Sequence, residues 1–312
     1  MEQDKINEVY DKVKNVAKPK IGRAIKRHIV NSIGLYVGAI GIAIAFIWLL
    51  HTMFKDQFYM PMYTMGMTYI FVFTLLFNLG IAALLSLWDT REIRKRFKNI
   101  YIEPMLLEMY PTLTYSRTKG IDEEAYKNSY FEPSEYEEFE TEDGICGVLP
   151  NGMKVDAAQV RIGIIQSRKQ LVSTTKFLGF FGRIKLDVFI ENSILIYTNN
   201  KSNRFSNSRI ETESIDFEDY FDIFAMNKVK ALQIFTSDLI EKYVEFVQKE
   251  YSNFELRIEA DYLYFRINNG DLFEYPTYKD PLSKENFELY YNQIFLPLEL
   301  AVKTAESANK VL

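Results

Sequence analysis

Two stretches, 29–50 (IVNSIGLYVGAIGIAIAFIWLL) and 67–88 (MTYIFVFTLLFNLGIAALLSLW), carry no ionised side chain. At a helical rise of about 1.5 Å per residue, each is long enough to cross a hydrocarbon core of roughly 30 Å. A cleaved secretory signal fits poorly, because its apolar core is about 7–15 residues long and lies nearer the start. A pair of buried core helices is the remaining rival, and the flanking charges favour a bilayer over it. Lys12, Lys14, Lys18, Lys20, Arg23, Lys26 and Arg27 precede the first run, and Arg91, Arg94, Lys95, Arg96 and Lys98 follow the second. The connecting loop holds only Lys55. Positive charge collects on the cytoplasmic side, so both termini are expected there.

This reading divides the chain into six parts. Residues 1–28 form a basic, amphipathic cytoplasmic helix, with Ile6, Val9, Tyr10, Val13 and Val16 at helical spacing until Pro19 interrupts it. Residues 29–50 and 67–88 are transmembrane helices, joined by an extracytoplasmic Met-rich loop, 51–66. Residues 89–110 form a helical stalk, with Ile93, Phe97, Ile100 and Tyr101 on one face until Pro104 bends it. Residues 111–312 form a cytoplasmic α+β domain.

From about 136 the pattern shortens to strands separated by turn residues. ICGVLPNGMKVDAAQVRIGI reads as strand, Pro150-Asn151-Gly152 turn, strand. IKLDVFI and SILIYT flank Glu191-Asn192, FEDYFDIFA alternates less regularly, and FELRIEADYLYFRIN reads as a strand pair around Ala260-Asp261. SDLIEKYVEFVQKEY repeats Leu239, Tyr243 and Val247 with Ile240 and Val244, an amphipathic helix capped by Thr236 or Ser237. Residues 284–310 return to helix despite Pro297. The expected class is therefore α+β, an antiparallel sheet with helices behind a transmembrane hairpin, and a sheet followed by a helix suits a pleckstrin-like or lipid-contacting barrel.

Residue chemistry narrows the function classes. The two histidines, His28 and His51, fall at opposite ends of the first span, so no His-based triad or zinc cluster can assemble in the cytoplasmic domain. No phosphate loop or dinucleotide fingerprint occurs, and no enzyme activity or cofactor is expected. The single Cys146 lies in an expected strand as a small core residue. Carboxylates crowd 121–143 (Asp122, Glu123, Glu124, Glu132, Glu135, Glu137, Glu138, Glu140, Glu142, Asp143), a pattern read as a solvated loop or interaction segment. An acidic domain of this kind argues against nucleic acid.

Three further features are candidates. Met60, Met62 and Met65 beside His51 offer thioether ligands of the kind that select Cu(I), although methionines and tyrosines also suit a loop resting in headgroups, and no metal site is assigned. Gly34, Gly38 and Gly41 on the first span and Thr74 and Asn78 on the second form small or polar stripes expected to face each other, within one chain or across a homo-oligomer. In FLGFFGRIKLDVF, Phe180 and Phe181 with Arg183 combine apolar wedges and a cation suited to lipid headgroups; burial in a core is the alternative.

The segments FKNIYIEPMLLEMYPTLTY, YEEFETEDGICGV, FLGFFGRIKLDVF and DFEDYFDIFAMNKVKALQIFTSDLIEKYVEF, followed by LYFRINNGDLFEY, resemble the successive landmarks of the bacterial domain of unknown function 3137 family. The resemblance implies an uncharacterised, membrane-anchored bacterial protein with a cytoplasmic α+β module, and no catalytic residues. The expectation is thus a multi-pass protein of the bacterial inner membrane, a scaffold or interaction module that binds a protein partner or the inner leaflet. A small oligomeric transport or metal-handling protein is the alternative.

Overall fold

The computed structural model describes residues 2–54, 69–70, 72–81, 83, 97–131, 136–167, 172–198, 208–249, 253–272, 280 and 282–311. It comprises two compact units, Asp11–Tyr101 and a larger one of Met1–Tyr10 with Ile102–Leu312.

In the smaller unit one helix, α1 (Glu2–Phe54), covers the whole first apolar run. Pro19 does not interrupt it. Arg23 Nε donates to the Pro19 carbonyl at 3.0 Å, and Val13, Ala17 and Ile21 stay buried at helical spacing on either side of the proline. Val16, by contrast, is exposed. Beyond residue 29 most of the described apolar side chains are exposed, Val30, Ile33, Val37, Ile40, Ile42, Ile44, Phe46, Trp48 and Leu49 among them, while Ala39 and Ala43 are buried.

Among the described residues no helix is long and apolar enough to cross a membrane. The second run is described as helix at 69–70, 72–81 and 83. The transmembrane hairpin is therefore unsupported by the described residues. Most of the Met-rich loop, with Met60, Met62 and Met65, lies outside them.

The larger unit is α+β. A π-turn, Lys98–Ile102, leads into α2 (Glu103–Met109), which has Pro104 in its first turn. The same device recurs near the C-terminus, where α7 (Lys284–Tyr290) passes through a π-turn, Tyr291–Phe295, into α8 (Leu296–Lys310) with Pro297 at its start. The widened turn accommodates a residue that has no N–H to give, so the helix continues as expected across Pro297. The first residues of α1 dock here: Tyr10 packs edge-on against Phe287 at 5.5 Å and donates to the Leu282 carbonyl.

The sheet is antiparallel and seven-stranded: β1 (Leu113–Ser116), β2 (Glu138–Val148), β3 (Lys154–Ser167), β4 (Val172–Thr198), β5 (Arg209–Ile210), β6 (Phe221–Ala225) and β7 (Phe254–Ile267). The order is β1-β2-β3-β4-β6-β5, with β7 on β4. Between β1 and β2 lies α3 (Glu123–Lys127), and between β5 and β6 α4 (Ile215–Glu218). α5 (Lys228–Ile234) and α6 (Ser237–Lys249) follow β6. No pairing among the described residues closes β1 on β5, so the barrel form of the expectation is not met.

Two expected breaks prove to be bends. Strand β4 runs on through Glu191-Asn192, carrying β3 on residues 172–184, β6 on 194–198 and β7 on 180–196. Strand β7 also runs on through Ala260, whose φ of +53° marks an irregularity facing Ile190. The buried set switches there from Phe254, Leu256 and Ile258 to Leu263, Phe265 and Ile267. Such a one-residue phase slip is what a β-bulge produces. It keeps both halves of β7 pointing into one core.

That core lies under α6 and α8. Tyr243 of α6 packs edge-on against Phe217, Phe221, Phe235 and Phe254, and its hydroxyl pairs with Thr304 of α8 at 2.9 Å. Burial raises its pKa, since the phenolate would lose water. Leu239, Ile240, Phe246 and Val247 complete the buried face of α6, each contributing about 1.5–3 kcal/mol.

Candidate interaction site

The opposite face of the sheet is aromatic and charged. Because side chains alternate along a strand, Phe181 of β4 faces this way while Phe180 faces the helices, where it meets Phe265 at 5.7 Å. Both are fully buried. The lipid-contact reading of Phe180 and Phe181 is thereby corrected: neither ring can reach a headgroup layer, because each side of the strand is covered. Arg183 is half-buried and paired with Asp156 at 3.0 Å.

The cover on this face is the segment around α3. Ile121, Ala125, Tyr126 and Phe131 pack with Val160, Ile162, Phe177, Phe181 and Tyr264 in one cluster. Tyr126 stands at its centre, 4.8 Å from Phe181 and about 6 Å from Tyr136, Phe139 and Phe177. Beneath it lies a buried ion pair. Arg266 of β7 is 5% exposed and Glu255 3%, with N···O 2.6 Å. Arg266 also donates to the Tyr126 hydroxyl at 2.7 Å, and its guanidinium lies 4.7 Å from the Phe131 ring and 5.1 Å from Phe177. A planar cation between two rings, with a carboxylate at its edge, satisfies charge and shape together.

Where the cover ends, charged groups form a row along β4 and β7. Arg183 meets Asp156, Lys185 pairs with Asp261, and Arg257 binds Glu259 at 2.7 Å and Ser193 at 3.2 Å. Tyr262 sits 5.5 Å from Arg183 and 4.5 Å from Lys185, and Arg257 lies 5.0 Å from the Tyr130 ring. The bond to Asp261 raises the Lys185 pKa, while burial pushes Tyr264 up to about 12 against the pull of Arg183. Each cation has its own carboxylate, so the row is suited to a mixed polar surface rather than to a polyanion. Tyrosine and arginine are the residue types that anchor protein contacts.

The acidic run is not the solvated loop the sequence suggests. Its first part forms α3, with Glu123 and Lys127 paired at 2.8 Å, and its last part is strand β2. Asp143, fully buried with φ of +55°, accepts from the Tyr115 hydroxyl at 2.5 Å. A cavity of about 350 Å³ opens beside Glu140, Glu142, Gln159, Arg161, Leu178 and Asp271. Gln159 is saturated there: its amide donates to Glu142 and Asp271 at 3.3 and 3.2 Å and accepts from Leu272 N. Its work is to pin the turn after β7 to β3. Cys146 lies on a strand as expected but is exposed rather than in the core, its thiol 3.3 Å from Thr114 Oγ1. Among the described residues no group of three His, Cys, Asp or Glu is placed to hold a metal ion.

Among the described residues, no contact joins the candidate stripes of the two runs. A Cβ built on Gly34, Gly38 or Gly41 meets nothing within 4 Å. The Asn78 amide instead donates to its own helix, at the Thr74 carbonyl 2.8 Å away.

Sequence reasoning did not single out Arg266, Glu255, Arg257, Tyr126 or Tyr262. A signal was available in FELRIEADYLYFRI, where Glu255, Arg257 and Arg266 alternate with residues that are themselves core. Charges inside such a strand need partners on a covered face.

These features define an α+β unit with one face under helices and the other under an aromatic strap. Residues 175–303 match the family model described as Protein of unknown function (DUF3137). No curated protein matches the chain. Among solved structures the mycobacterial trehalose monomycolate transport factor A, TtfA, is similar with a TM-score of 0.27 and 7% identity over 55% of this chain and 72% of that one. That likeness is too slight to bear on fold or function.

Proposed function

We propose that the chain is a membrane-anchored interaction module of the bacterial inner membrane. The N-terminal apolar runs act as a hairpin anchor, and the α+β unit works as a cytoplasmic scaffold at the bilayer surface. The observation that supports this most is the run of exposed apolar side chains on α1 from Val30 to Leu49. Such a surface requires either lipid or extensive protein cover. The basic residues at the outer ends of both runs favour lipid and set the orientation. On the α+β unit, the Tyr130, Arg257, Tyr262 and Arg183 row is the surface offered to a protein partner.

Alkaline carbonate extraction of membranes carrying the full chain tests the anchor. The chain is expected in the pellet, and protease added outside spheroplasts is expected to leave residues 111–312 intact. Release into the carbonate supernatant, or digestion of the C-terminal part from outside, overturns the reading.

A further inference from the structure

The edge of the helical layer at α5 turns one side inward and leaves the other bare. Ala231 and Ile234 are buried, whereas Met226, Val229 and Leu232 are 84%, 68% and 39% exposed. Residues three apart lie on one side of a helix, so Val229 and Leu232 form an apolar ridge on α5, and Met226 stands exposed in the turn that leads into it. Lys228 and Lys230 flank it, and neither has an ion-pair partner among the described residues. The ridge is held rigidly: Asn227 Oδ1 accepts from Lys230 N at 3.0 Å, and Ser307 of α8 donates to the Ile234 carbonyl at 2.5 Å.

We infer that this ridge is a contact for an anionic bilayer surface. Exposed apolar side chains on one helix side and in the turn before it gain free energy from any apolar cover, and the lysines decide which cover fits. Lysine stems lie along apolar surface while their heads stay in water, the arrangement of an element seated at the boundary of headgroups and acyl chains. An anionic leaflet complements both cations. A second copy of the same ridge would instead set four lysines against each other. The inference rests on the membrane-anchored reading, which would keep the ridge within reach of the leaflet, and it replaces the Phe180–Phe181 surface that burial rules out.

The test uses the full chain with Cys146→Ser and Val229→Cys, labelled with an environment-sensitive fluorophore, in nanodiscs of phosphatidylcholine with or without phosphatidylserine. A parallel label at Val148→Cys, an exposed apolar position on β2, is the control. The expected result is a blue shift, with quenching by a lipid-borne quencher, at 229 and not at 148, and only with phosphatidylserine. Lys228→Ala with Lys230→Ala is expected to lower the docked-to-undocked ratio roughly 30-fold, from about 1 kcal/mol per lysine near the surface. Both substitutions are at the surface and spare the fold. No lipid-dependent shift, an equal shift at 148, or indifference to the lysines overturns the inference. A shift that appears in detergent and grows with protein concentration overturns it in favour of self-association. Failure of the chain to enter discs counts against the anchor alone. Phosphatidylserine vesicles added to the same labelled chain then decide the ridge, a shift upholding it and none overturning it.

Discussion

Replacing Arg266 by methionine removes one half of an ion pair whose members are 5% and 3% exposed. Glu255 would then keep its charge in a place that water does not reach, which costs about 3–5 kcal/mol. The Tyr126 hydroxyl loses the guanidinium donor as well, a loss of about 1–2 kcal/mol that overlaps the first. Removing both charges, Arg266→Met with Glu255→Leu, leaves no uncompensated charge and fills similar volume, so only the loss of the bond to the Tyr126 hydroxyl remains. That pair of changes is expected to cost no more than about 1–2 kcal/mol, well short of the single variant's loss. The assay is denaturant unfolding of the full chain in detergent, read by the near-ultraviolet signal of the tyrosines, with hydrogen exchange across 121–131 as a local readout. The single variant is expected to lose protection first in that strap, because Tyr126 and Phe131 both rest on the guanidinium. A single variant within 1 kcal/mol of the parent would refute the argument, as would a double variant that loses as much as the single one.

Gly179→Ala is expected to cost about 1–3 kcal/mol, since its new Cβ would overlap the Ile267 carbonyl oxygen of the neighbouring strand and force β4 and β7 apart; the same unfolding assay reads it. Ser283→Ala removes the side chain that accepts from Asn286 N at 3.3 Å at the start of α7, an expected loss of about 1 kcal/mol, checked the same way. Alkaline pH is expected to weaken the α+β unit. Tyr264 is held up to about 12, and burial also raises Tyr110, Tyr115 and Tyr243, against about 10 for an unfolded tyrosine. The unfolded chain releases those protons first, so stability is fully present below about pH 10 and falls as pH rises toward 12. Midpoints that hold level or climb between pH 9 and 12 would contradict this.

The parts of this fold that could be read from sequence are those whose pattern is local. The α6 stripe, the 150–152 turn and the helix across Pro297 depend on residues a few positions apart, and the structure has all three. The errors arise where a local pattern has two physical causes. Alternation in FELRIEADYLYFRI slips phase at Ala260, which a hairpin or a bulge would both produce. Composition bears on the choice: a two-residue hairpin needs positive φ at one or both central positions and favours Gly or Asn there, whereas Ala260-Asp261 has neither and Glu191-Asn192 has an asparagine but no glycine. A bulge needs only one unusual residue. The same reasoning applies to Phe180-Phe181. Adjacent residues on a strand point to opposite faces, so a pair of large aromatic residues demands either one exposed ring or two covered faces. Gly179 and Gly182 on either side let neighbouring chain come within contact distance of the strand, a sign of close packing rather than of a surface wedge. What covers the second face was encoded in the acidic run itself, where Tyr126 and Phe131 interrupt the carboxylates. A tract whose purpose is solvation has no use for buried rings, and their presence marks it as a strap whose charges face water while its aromatic residues hold it to the sheet.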